Sequence, residues 1–226
     1  MASNASTIRL RAGATAILVF AVAVISTALV LSSGIDLQEI ERGAVDVILP
    51  IMTANPTVLA IVAWEVVLVS VLIAIFGIDL YQILADGRSG LLFAPVALIG
   101  GAGLFIVEVL MLLGISQGLA PAYAGATAAE QSAIEGTAQA LLLFRSRMLL
   151  VAGVLWSLAA ITFGREMLRS AEFPGWLGYW GYAAGVVGVI GGFFPLYVSL
   201  LVVRSLGQFL FILWVLIAGI ILLRNR

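Results

Sequence analysis

Glu65, Glu108, Arg145, Arg147 and Arg204 are the residues of this chain whose types and setting could do chemistry, because each interrupts or flanks a long apolar run. An ionisable side chain costs ~3 kcal/mol at the centre of a bilayer on insertion scales, so those that persist there pair, line a cavity or carry function. Carboxylates and guanidinium groups at one depth can form structural ion pairs or interfacial anchors. They can also floor a cavity for an amphiphile such as a lipid or quinone, or join a proton or ion path. A path needs relay groups through the whole thickness, and below this layer only Asp79 is available. Glu65 or Glu108 could act as a general base beside an Arg that holds an anionic headgroup, but no catalytic signature accompanies them, so no residue is assigned a catalytic role.

The missing residue types remove whole classes of chemistry. The chain has no Cys and no His, and all eleven of its basic residues are Arg. Without Lys there is no Schiff base to retinal or pyridoxal phosphate. Without His or Cys the usual zinc, haem and iron–sulfur ligands are lacking, and so are Ser–His and Cys–His triads. No metal and no cofactor are therefore expected. A net charge of −1 gives no reason to expect nucleic acid.

The elements that must position these side chains are membrane helices. Hydrophobic residues make up 63% of the 226 and charged residues 10%, against roughly a quarter charged in an ordinary soluble domain. The expected fold is all-α: a single polytopic membrane bundle over 1–226, with six spans at about 14–32, 57–84, 91–115, 137–164, 175–193 and 205–223. Arg9 and Arg11 precede the apolar run Ala14–Leu31. That run is longer than a typical signal-peptide core and lacks a small-x-small cleavage site, so it reads as a retained span.

Between the first two spans, Gly34–Asn55 carries Asp36, Glu39, Glu41, Arg42 and Asp46, with Leu37, Ile40, Ala44, Val47, Ile48 and Ile51 at helical spacing. This predicts a short amphipathic helix along the membrane surface. Asn55 and Pro56 suit the start of the second span, and Asp86–Gly90 a tight turn after it. Residues 117–126 read as a looser stretch up to Thr127, whose spacing to Glu130 is that of a capping box opening the fourth helix. Pro174–Gly175–Trp176 opens the fifth.

Loops rich in Arg stay in the cytoplasm. With both termini inside, the inner side receives Arg9, Arg11, Arg88, Arg165, Arg169, Arg224 and Arg226, and the outer side Arg42, Arg145, Arg147 and Arg204. Counting from the inner end of each helix, Glu65 and Arg204 lie roughly 30 Å up, and Glu108, Arg147 and Arg145 roughly 25 to 29 Å up. They share one layer near the outer edge of a hydrocarbon core about 30 Å thick. Arg145 and Arg147 are two residues apart and point to nearly opposite faces, so at most one enters the bundle. Trp176, Tyr179 and Trp180 fit an interfacial belt. Gly100, Gly101 and Gly103, and the pairs Gly181/Gly185, Gly188/Gly192 and Gly114/Gly118, suit close helix packing, with homodimerisation or a broken helix as alternatives.

Three segments carry a resemblance: PheIleValGluValLeuMetLeuLeuGly (105–114), GlyArgGluMetLeuArgSer (164–170) and PheProGlyTrpLeuGlyTyrTrpGly (173–181). In their order and spacing the chain resembles an uncharacterised bacterial membrane family, domain of unknown function 4386. The resemblance implies six helices in a bacterial inner membrane and brings no established reaction. The functional expectation is a multi-pass cell-membrane protein that binds a membrane lipid or other hydrophobic ligand, or serves as an accessory subunit of a homo-oligomer or larger membrane complex. A small transporter and an intramembrane enzyme acting on a lipid-like substrate are the alternatives.

Overall fold

The structure, a computed structural model, describes residues 2–35, 44–85 and 89–225. Among them there are helices and turns and no strand. The long helices are α1 (Ala2–Ser33), α3 (Pro56–Leu84), α4 (Phe93–Gly114), α6 (Ala128–Met167), α7 (Gly175–Gly192) and α8 (Leu201–Arg224). Two short ones, α2 (Val45–Ala54) and α5 (Ala120–Ala124), complete the set. Five segments are long and apolar enough to cross a membrane: Ala5–Ser33, Pro56–Leu84, Phe93–Ala124, Ala128–Met167 and Val198–Arg224. Large apolar side chains such as Ile25, Leu31, Val96, Phe144 and Val202 point outward. A water-facing surface would not carry so many, and the chain is a multi-pass membrane protein. At 18 residues, α7 is not among the five, because its glycines, tryptophans and tyrosines hold its hydropathy down.

Spatial order follows chain order. α1 packs on α3, α3 on α4, α4 on α6, α6 on α7 and α7 on α8, and α8 returns to α1 to close a ring. Neighbours run antiparallel, since the start of one helix meets the end of the last: a Cβ on Gly13 would meet the Leu223 side chain, and one on Gly77 the side chain of Leu98. The two chain ends therefore lie together at what we call the terminal end, where Arg9 donates to the Asn225 carbonyl at 2.7 Å.

Lipid is as apolar as Leu, so burying side chains between membrane helices gains little and close van der Waals approach has to do the work. Glycine provides that approach. A Cβ on Gly178 would lie 2.7 Å from the Gly164 carbonyl oxygen, and one on Gly185 2.6 Å from that of Ser157, so α7 lies backbone to backbone on α6. On the other flank of α7, a Cβ on Gly207 of α8 would lie 2.9 Å from the Gly188 Cα, and Gly191 leaves room for the Arg204 backbone. Ring closure uses the same device where Gly219 faces Ala16 and Gly13. The glycine pairs of the fifth helix are spent on contacts inside one chain.

Indole N–H groups add directed clasps. Trp156 donates to the Leu98 carbonyl at 3.1 Å, Trp180 to Leu210 at 3.2 Å and Trp214 to Leu177 at 3.2 Å. Trp180 thus joins helices, whereas Trp176 and Tyr179 are exposed as a belt requires. Across the ring, Phe105, Trp156, Phe211, Trp214 and Phe76 stand in sequence with centroids 4.5 to 6.4 Å apart. Below them the terminal half is packed by residues from all six long helices, including Ala12, Leu80, Leu98, Phe163, Leu177 and Leu222.

Several element boundaries bear on the sequence reading. Residues 117–126 are helical for most of their length: a π turn (Ile115–Leu119) leads into α5. That turn lets Pro121 occupy the first turn of a new segment, where its missing N–H is not needed. α6 opens on the expected Thr127–Glu130 capping box, with Thr127 N–H donating to Glu130 at 2.8 Å, and its 40 residues run ~60 Å, beyond any hydrocarbon core. α8 starts at Leu201 rather than Ser205, placing Arg204 inside its first turn. Of the amphipathic helix, Asp36, Glu39, Glu41 and Arg42 lie outside the described residues; Val45–Ala54 forms α2, which buries Val45, Ile48, Leu49 and Met52 in a cap at the distal end with Leu112, Ile115, Ala120 and Ala138.

The glycine contacts separate two classes of substitution. Gly185→Val should lower the detergent melting temperature, with overpacking costing roughly 1–3 kcal/mol, because the obstructing atom is backbone. Gly103→Ala, where a Cβ would meet nothing within 4 Å, should leave it unchanged or raised, since Ala is the better helix former by ~1 kcal/mol. Circular dichroism melts of both variants check the contrast.

Candidate functional site

Glu108 on α4 and Arg145 on α6 meet near the distal end. Their Oε1 and Nε atoms are 2.5 Å apart, and the side chains are only 6% and 8% exposed. Each is carried on a continuous helix whose backbone is satisfied within itself, so the pair is fixed by the α4–α6 contact alone. Two charges removed together from water and lipid neutralise one another, and the arrangement ties two helices.

The other members of the expected layer lie elsewhere. Arg147 is exposed on the opposite face of α6, so one arginine of the pair enters the bundle. Arg204 is half-buried, with its guanidinium carbon 4.3 Å above the centre of the Phe194 ring, a cation–π contact at the start of α8.

Glu65 stands apart from these pairs. Thr57, Ala60, Ile61, Trp64, Glu65 and Leu68 recur at helical spacing and form one face of α3, the lining of a shallow groove of about 360 Å³. Its walls are apolar, and Trp64 is 63% exposed beside it. Glu65 Oε2 is buried and has no hydrogen-bond partner among the described residues. An ionised carboxylate is acceptor only, so what this oxygen lacks is a donor.

At the terminal end lies a network that the sequence reading did not assemble. Arg11 on α1 donates from Nε to Asp79 Oδ2 at 2.9 Å and from Nη2 to Oδ1, and Asp79 is fully buried on α3. Arg9 pairs with Glu172 at 2.5 Å, and Asn225 Nδ2 donates to the Glu172 carbonyl at 3.0 Å. Glu166 and Arg169 pair at 3.2 Å one turn apart. Asp79, taken from sequence as an isolated relay group, is thus the partner of a residue taken as a rim anchor. The signal was present, since Arg11 and Asp79 each lie within three turns of the terminal ends of two successive long helices, α1 and α3. Three or more carboxylates placed to hold a metal ion do not occur among the described residues.

The buried pair makes a direct prediction. Glu108→Gln or Arg145→Met should each destabilise the protein by roughly 3 kcal/mol, because each strands an uncompensated buried charge or its polar partner. The Glu108→Leu/Arg145→Leu double variant should recover most of that loss. Unfolding of the set in detergent measures the coupling; equal and additive losses would show that the pair contributes nothing.

No curated protein and no solved structure matches the chain. One family model does, and it extends over residues 5–224, from the start of α1 through the last turn of α8. By that match the chain belongs to the family described as domain of unknown function DUF4386.

Proposed function

We propose that this protein crosses a cell membrane six times with both termini in the cytoplasm, and that it binds a lipid or other hydrophobic ligand in the groove beside Glu65. Several features support six spans. α7 occupies its own place in the ring between α6 and α8, and its 18 residues reach ~27 Å, close to the core thickness. Orientation rests on arginine: Arg9, Arg11, Arg165, Arg169 and Arg224 gather at the terminal end, against Arg145, Arg147 and Arg204 toward the other.

The observation that carries the ligand reading is the Glu65 oxygen, buried in an apolar groove with no partner among the described residues. Ionisable groups at membrane depth are expensive, and those that are structural find partners, as Glu108 and Asp79 do. Glu65 departs from that pattern. Its groove faces outward on a helix whose neighbouring side chains are lipid-facing, so an amphiphile can enter sideways from the bilayer. Glu108, Arg145, Arg147 and Arg204 are assigned to packing and anchoring in this reading.

Mass spectrometry of lipid co-purifying from native membranes tests it. Wild type and Glu108→Gln should retain a stoichiometric lipid, whereas Ala60→Trp, which fills the groove, should lose it. Retention by Ala60→Trp, or a protein subunit in place of lipid, would overturn the reading. A cytoplasm-dependent fluorescent reporter fused after Arg226 should be active; a dark fusion with an active periplasm-dependent phosphatase would reverse the orientation.

A further inference from the structure

We infer that the occupant of the Glu65 groove is a phospholipid whose head carries a primary ammonium group. The inference rests on the ligand reading above and goes beyond it by naming the chemistry that Glu65 selects. Among the described arginines, Arg145 pairs with Glu108, Arg11 with Asp79, Arg9 with Glu172 and Arg169 with Glu166, Arg204 lies over Phe194, and none donates to Glu65 Oε2. The carboxylate therefore needs a donor from outside the described chain, and a positively charged one gives the stronger, charge-assisted bond.

Depth agrees with a headgroup. Glu65 lies 19 residues from Leu84 on α3, or ~28 Å along the axis, which sets it at the far boundary of a hydrocarbon core about 30 Å thick. Trp64, exposed at the same level, has the character of an interfacial residue. One turn deeper, Leu68 continues the groove toward the bilayer centre, where an acyl chain would lie.

Headgroup chemistry then discriminates. A primary ammonium offers three N–H donors to the Glu65 carboxylate. A trimethylated ammonium carries the same charge but no N–H, so it can approach Glu65 without bonding to it. A glycerol headgroup offers hydroxyl donors but leaves the lipid phosphate charge uncompensated beside a carboxylate.

Native mass spectrometry of the delipidated full-length protein, titrated separately with dioleoyl phosphatidylethanolamine, dioleoyl phosphatidylcholine and dioleoyl phosphatidylglycerol, tests the assignment. Wild type should bind the ethanolamine lipid about tenfold better than the choline lipid, the effect of one charge-assisted hydrogen bond. Glu65→Gln should bring that ratio close to one while its melting temperature stays near wild type. Equal binding of all three lipids by wild type, lost in Ala60→Trp, would overturn the ammonium assignment and leave the groove as a lipid site. An ethanolamine preference that survives Glu65→Gln would also overturn it. Equal binding by wild type, Glu65→Gln and Ala60→Trp would overturn both readings.

Discussion

A membrane helix gains little by burying Leu against Leu, because the lipid it leaves is equally apolar. Everything in this bundle follows from the substitute it uses, the close approach of backbones at glycine. α7 lies between α6 and α8 with carbonyl oxygens under 3 Å from where a Cβ would stand at Gly178 and Gly185. At such spacing many weak dispersion contacts act together and indole N–H groups can reach main-chain carbonyls of the next helix. The same requirement helps explain why α7 is not among the five segments long and apolar enough to cross a membrane: the glycines that let it pack also lower its hydropathy.

With packing settled in this way, the polar groups sort into two kinds. Those at the terminal end tie elements distant in sequence, with Arg9 reaching Glu172 and Asn225 and Arg11 reaching Asp79, so that the first helix is held to the third and to the last. Glu108 and Arg145 do the same for α4 and α6 near the distal end. Each charge in these pairs has an opposite charge within reach, which is what makes its presence in a membrane affordable. Among the described carboxylates Glu65 alone has a buried oxygen with no hydrogen-bond partner, and the proposed ligand site rests on that contrast.

The two ends of the bundle are also built differently. The terminal half is a solid core to which every long helix contributes, crossed by the aromatic series from Phe105 to Phe76. On α1, residues 20–33 are all half-buried or exposed. The distal cap is made instead by short elements, α2, the π turn and α5, against the projecting start of α6, where Tyr123 donates to Glu135 at 2.7 Å.

The sequence by itself determined the helical membrane class, the order of the helices, the Thr127 cap, the family, and the fact that only one of Arg145 and Arg147 enters the bundle. The family rests on a resemblance carried by three segments; the others depend on composition, periodicity and local spacing, which a linear chain states directly. Depth counting also put Glu108 and Arg145 in one layer. It could not separate them from Glu65, because a rise per residue fixes height and leaves the direction around the helix axis open. Only the tertiary structure decided that Glu108 turns toward α6 while Glu65 faces an apolar groove. It also decided that Asp79 belongs to Arg11, since that pairing depends on which helices become neighbours when the ring closes.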